Sequence, residues 1–201
     1  MARPMPPDHL LDELAPLSFK PAYELDAWAR TMFIDDGAVF GSEQHEHLRL
    51  ATIGYAWTNY PARKGGKSIL GTCELIKETG NPWSKARNEF LIASWFDGLP
   101  DFLITIYAPY WADSSDRACL ALILHEISHA GQAIDEFGAP RFDRHGMPLF
   151  AMKSHDFEEF TNVVEMFGAT SPSLRTAAES IMAGPLVGDD EISIVCGSCK
   201  V

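Results

Sequence analysis

The chain has 201 residues, 46% of them hydrophobic and 22% charged, and carries a net charge of −12. That length suits one compact domain with its own core. The acidic balance repels phosphate backbones and argues against a nucleic-acid partner, and no apolar run approaches the roughly 20 residues that a membrane span needs.

The opening stretch MARPMPPDHLLDEL holds no continuous apolar segment, so no secretory leader is expected and a cytoplasmic protein is. Residues 1–18 are proline-rich and predicted to form a flexible arm ahead of a domain over 19–184, with 185–201 as a C-terminal tail. Pro21 opens a predicted helix in which Leu25, Trp28 and Met32 recur at helical spacing, ended by Asp36-Gly37. LRLATIGYAWT (48–58) reads as a strand, ARKGGK as a turn and SILGTCELI as the returning strand of a β-hairpin. Arg63, Lys64 and Lys67 in that turn read as a solvated basic cluster. A helix over 82–95 is expected, then a strand in DFLITIYA that Pro109 stops.

Asp113, Ser114 or Ser115 can cap a helix running to about Ile134, with Ile123, Ile127, Ala130 and Ile134 as its apolar back face. Gly138, Pro140, Gly146 and Pro148 mark 137–153 as a loop or small hairpin. A helix is predicted from Asp156 to Gly168, with Phe157, Phe160, Val164 and Phe167 as its stripe, and another after Ser171-Pro172. Strands first and helices second indicate an α+β domain: a small antiparallel or mixed sheet, then the central helix, then C-terminal helices.

The central helix carries His125-Glu126-Ile127-Ser128-His129, an H-E-x-x-H motif. Residues four apart share a helix face, so both imidazoles can address one Zn2+ at about 2.0–2.1 Å. Glu126 lies about 100° round the helix from His125, where a carboxylate can act as general base toward a water activated by the metal. A catalytic zinc needs a third protein ligand and an open position. His145, His155, Glu158 and Glu159 are the candidates, and Asp156 stands beside them. Tyr107, Tyr110 and His145 could stabilise an oxyanion on chemistry alone. Of the four cysteines, Cys119 reads as core, and the lone Cys196-x-x-Cys199 as a reduced-thiol tail.

These motifs resemble a family of metallopeptidases encoded by bacteriophages and prophages. The matching parts are Ile106 to Trp111, His125 to His129, His155 to Phe160 and Phe167-Gly168, with ARKGGKSILGTCELI upstream, so that the likeness spans roughly residues 48–170. That family is similar to the SprT-like and Spartan zinc proteases, in which a His just before a helix is the third ligand. The resemblance implies a zincin-like fold, a protein or peptide substrate, a host-cytoplasmic setting, His125, His129 and His155 as ligands, and Asp156, Glu158 and Glu159 as supporting or alternative groups. The loop between His129 and His155 is longer than in the SprT-like proteins, and their basic DNA-binding partner domain is lacking, so a DNA-linked substrate is not implied. Two rivals remain. One is a deformylase- or amidase-type hydrolase, for which Gly71-Thr72-Cys73 would offer a cysteine ligand. The other is a zinc-stabilised binding protein without turnover.

Overall fold

A computed structural model describes residues 1–12, 14–76, 81–157, 164, 168–169, 171–188, 192 and 196–197. A four-stranded sheet is assembled from β1 (Phe19–Pro21), β2 (Ile53–Thr58), β5 (Gly71–Leu75) and β6 (Phe102–Tyr107), in the order β1-β2-β6-β5. β2 runs parallel to β6, from Ile53 opposite Phe102 to Thr58 opposite Tyr107, while β1 and β5 are antiparallel to their neighbours. The mixed sheet agrees with the α+β expectation.

The predicted hairpin does not form. β6 lies between the two strands expected to pair. The ARKGGK turn instead closes a minimal hairpin of its own, β3 (Arg63–Lys64) against β4 (Lys67–Ser68). FLITIY is the most apolar of the strands and takes the centre, so the returning strand pairs with it rather than with its sequence neighbour. Residues 48–50 also differ from expectation: they end a 3-10 helical stretch, Glu43–Leu50, and the strand starts at Ile53.

All six residues of β2 are buried, which requires cover on both faces. Tyr55, Trp57, Ile104, Ile106 and Cys73 turn to the main core, where Trp57 and Trp28 meet Trp111 edge-on. Gly54 points the other way, and a Cβ there would lie 2.8 Å from Phe96. The predicted first helix is α1 (Tyr23–Ala29) continued by a wider turn over Arg30–Ile34, which buries Met32, Phe33 and Ile34. α2 (Pro82–Ala93) starts at an Asn81 cap, as the Asn-Pro pair suggests. After β6, Pro109 sits in the first turn of the short α3 (Ala108–Asp113). α4 (Asp116–His129) follows, with Ser115 accepting from the Ala118 amide as its cap. α5 (Pro172–Ala183) closes the helical set among the described residues. Most of the helix expected at 156–168, including Glu158 and Glu159, lies outside the described residues.

A further difference bears on the site. α4 stops at His129, not near Ile134. Ala130 takes an extended conformation and opens β7 (Ala130–Gln132), which pairs antiparallel with β8 (Phe150–Met152). Ile123, Ile127 and Ala130 are buried as expected, but Ile134 is beyond the helix and 64% exposed. Residues 1–12 are also seated on the body. The Arg3 guanidinium donates to the carbonyls of Trp111 and Ser114, Trp111 Nε1 donates to the Pro4 carbonyl, and Leu10 is fully buried.

Candidate metal centre

α4 packs on the core face of the sheet at its edge strand, β5. Gly71 faces Glu126 there. A Cβ on Gly71 would lie 2.7 Å from Glu126 Oε1, so only glycine admits the carboxyl group against the strand. Glu126 is fully buried, and its Oε1 has no hydrogen-bond partner among the described residues. Burial, followed by the neighbouring Cys196, pushes its pKa up to about 9. A carboxyl group in that position lacks a counter-charge, and a nearby cation would restore its ionised form.

One turn of helix brings His125 and His129 together. Their Nε2 atoms are 3.3 Å apart. Two nitrogens bound tetrahedrally at about 2.0–2.1 Å would stand about 3.3 Å from one another, so the pair is spaced for a shared ion. The early end of α4 has its purpose here. β7 and β8 carry the chain out and back, so that the Lys153 amide donates to the His129 carbonyl at 2.8 Å. In return His129 Nδ1 lies 2.8 Å from the Lys153 carbonyl. A carbonyl only accepts, so Nδ1 carries the proton and Nε2 presents its lone pair to the centre.

The same return delivers His155, two residues beyond Lys153. Its ring centroid is 5.2 Å from that of His125 and 5.1 Å from that of His129, and the latter two are 5.0 Å apart. The three imidazoles therefore form a near-equilateral group whose donor atoms lie within 4.8 Å of one another. They border a cleft of about 510 Å³ together with Ser128, Lys153 and Phe157. Three imidazole nitrogens beside a buried carboxyl group fit a borderline-soft divalent metal.

Among the other predicted residues, Asp156 forms a 2.9 Å ion pair with Lys153. His145 sits in the exposed turn between β7 and β8, beside Arg144, and is not in the histidine group. Tyr110 packs against the core. Cys73 is buried on β5, with its thiol pushed up by burial, and belongs to neither cluster of metal-capable side chains among the described residues.

The residue that sequence reasoning missed is Cys196. It is 8% exposed, and its Sγ lies 3.4 Å from His129 Nε2 and donates to Glu126 Oε2 at 3.6 Å. His129 has its pKa raised, first by this contact. Cys196, His125 and Glu126 make a second group with donor atoms within 4.8 Å. No signal in the sequence around Cys196 pointed to this place.

No helix among the described residues is long and apolar enough to cross a membrane. No curated protein and no solved structure matches the chain. The family model described as "Putative phage metallopeptidase" spans residues 18–182, and the chain belongs to that family.

Proposed function

We propose that the protein is a zinc-dependent metallopeptidase of zincin type, in which His125, His129 and His155 hold Zn2+ and Glu126 is the general base. The observation that carries this reading is the triangle of imidazoles closing on the H-E-x-x-H helix beside a buried carboxyl group. A bound zinc would supply a polarised water and a Lewis acid for the scissile carbonyl. Glu126 would take the proton of the attacking water and return it to the leaving amine. Its burial against Gly71 keeps it from bulk water and fixes its position. The Lys153 carbonyl holds the His129 ring in the tautomer that ligation requires. His155 as third ligand follows the SprT-like pattern, and Asp156 anchors Lys153 next to it. The substrate would be a protein or peptide in the host cytoplasm.

The deformylase-type alternative loses its main support, because Cys73 stands outside both donor groups. The non-catalytic alternative gains one observation, the thiol of Cys196 at the centre. Against it, a purely structural zinc site has no use for a buried carboxyl oxygen without a partner. Glu126→Gln separates the readings. It should retain about one zinc per chain while peptide hydrolysis falls by roughly 10²–10⁴-fold. Joint loss of zinc and fold in this variant would make Glu126 a structural residue and remove the general base from the scheme.

A further inference from the structure

We propose that Cys196 is the fourth ligand of the centre and holds the peptidase in a closed, latent form, which opens when the C-terminal segment is withdrawn from β5. The proposal rests on the zinc reading above. Its geometry is specific. In a tetrahedral shell with Zn–N of about 2.0–2.1 Å and Zn–S of about 2.3 Å, sulfur and nitrogen stand about 3.6 Å apart. Cys196 Sγ is 3.4 Å from His129 Nε2. Three histidines would leave one position, and the buried Cys196 thiol lies within donor distance of Glu126 and of His125, the residue common to both donor groups. A second observation is Glu126, whose Oε2 accepts from the Cys196 thiol at 3.6 Å while its buried Oε1, against Gly71, has no partner among the described residues.

The backbone explains how the thiol gets there. Residue 196 forms an isolated parallel bridge with Gly71, and the Gly197 amide donates to the Gly71 carbonyl at 2.8 Å. Lys64, at the end of β3, donates to the Gly197 carbonyl at 3.2 Å. β5 is an edge strand, where an extended peptide would add. The segment thus takes both the metal's open position and the strand edge beside it. Gly197 makes the close approach possible, since a Cβ there would lie 2.3 Å from Thr72 Cγ2 and 2.9 Å from Ile69 Cγ2. Among the described residues, this bridge, the Gly197 amide and Lys64 are the bonds that hold Cys196 and Gly197 against the sheet and the β3–β4 hairpin. On opening, the metal–sulfur bond breaks, water enters the vacated position, and the thiolate takes a proton from solvent.

Zinc X-ray absorption on the full-length, zinc-loaded protein tests this, alongside peptide hydrolysis. Wild type should show one sulfur at about 2.3 Å with nitrogens at about 2.0–2.1 Å. Cys196→Ala should keep its zinc and lose the sulfur. Gly197→Val retains the thiol but blocks its seat, and should lose the sulfur as well. Both variants should hydrolyse peptide faster than wild type, by at least about tenfold if fewer than one wild-type molecule in ten is open. A wild-type shell of nitrogen and oxygen alone, or a sulfur that survives Cys196→Ala, overturns the proposal and leaves the zinc reading standing. Sulfur in wild type with no gain in either variant overturns the latch and makes the site structural. Absence of zinc from every form sinks the underlying reading instead.

Discussion

His155 and Cys196 reach the same centre by routes of different strength. His155 arrives at the end of a paired hairpin, two residues after Lys153, whose amide and carbonyl both bond to His129. Cys196 arrives on a segment that, among the described residues, is held by one bridge, one amide donated to Gly71 and one lysine. Under the proposed zinc reading, a donor held by the fold would be a permanent ligand. A donor held by a few surface-edge bonds can be exchanged for water. What the comparison teaches is that the function of a ligand is set by the element that carries it as much as by its chemistry.

The sharpest break of this contrast is removal of the histidines that the fold holds in place. His129→Ala should lose zinc almost entirely and lower the melting temperature, because metal binding contributes to folding free energy. His155→Ala should weaken zinc binding by well over the ~10–100-fold expected of a supporting residue. Competitive chelator titration measures both, and wild-type affinity in His155→Ala would end its role as a ligand.

A smaller effect is expected at the wall behind the carboxyl group. Gly71→Ala places a methyl 2.7 Å from Glu126 Oε1 and 3.0 Å from its Cγ. Overpacking of this kind costs about 1–3 kcal/mol, read in urea unfolding. An unchanged midpoint would show that the contact between α4 and β5 is loose.

The smallest is a pH effect on the metal-free protein. The folded pKa of Glu126 is raised from the model-peptide 4.5 to about 9, so the folded state keeps a proton that the unfolded state gives up. Between these values the unfolded chain binds fewer protons, and stability falls as pH rises, by at most about 1.4 kcal/mol per pH unit. Glu126→Gln should flatten the slope across that window, as should saturation with zinc. A slope that survives Glu126→Gln would place its origin elsewhere.

How much of this was legible beforehand depended on sequence distance. His125, Glu126 and His129 sit within one helical turn, so their spacing alone brings them together. The Ser115 cap and the Asn81-Pro82 start are likewise local. The false hairpin arose because β2 pairs with a strand that begins some way downstream, at Phe102, and parallel pairing leaves no turn signature. Ile134 was misplaced because α4 ends where the returning strand captures His129, a tertiary event that helical periodicity cannot register. His155 was recognisable from its setting before Asp156-Phe157. Cys196 was not, since nothing around it marks the strand edge on which it lands.

The reciprocal bonds between His129 and Lys153 also say where this architecture tolerates change. They tie one end of the β7–β8 excursion to the centre, while its far turns, at Gly138 and Gly146, are exposed loop. Residues could be added or removed at those tips without moving a donor atom. A single residue inserted between Lys153 and His155 would instead displace the third imidazole from the group. The excursion is therefore a place where related chains can diverge in length, and a point where a tag or a second module could be grafted, while the segment 153–155 has no such freedom.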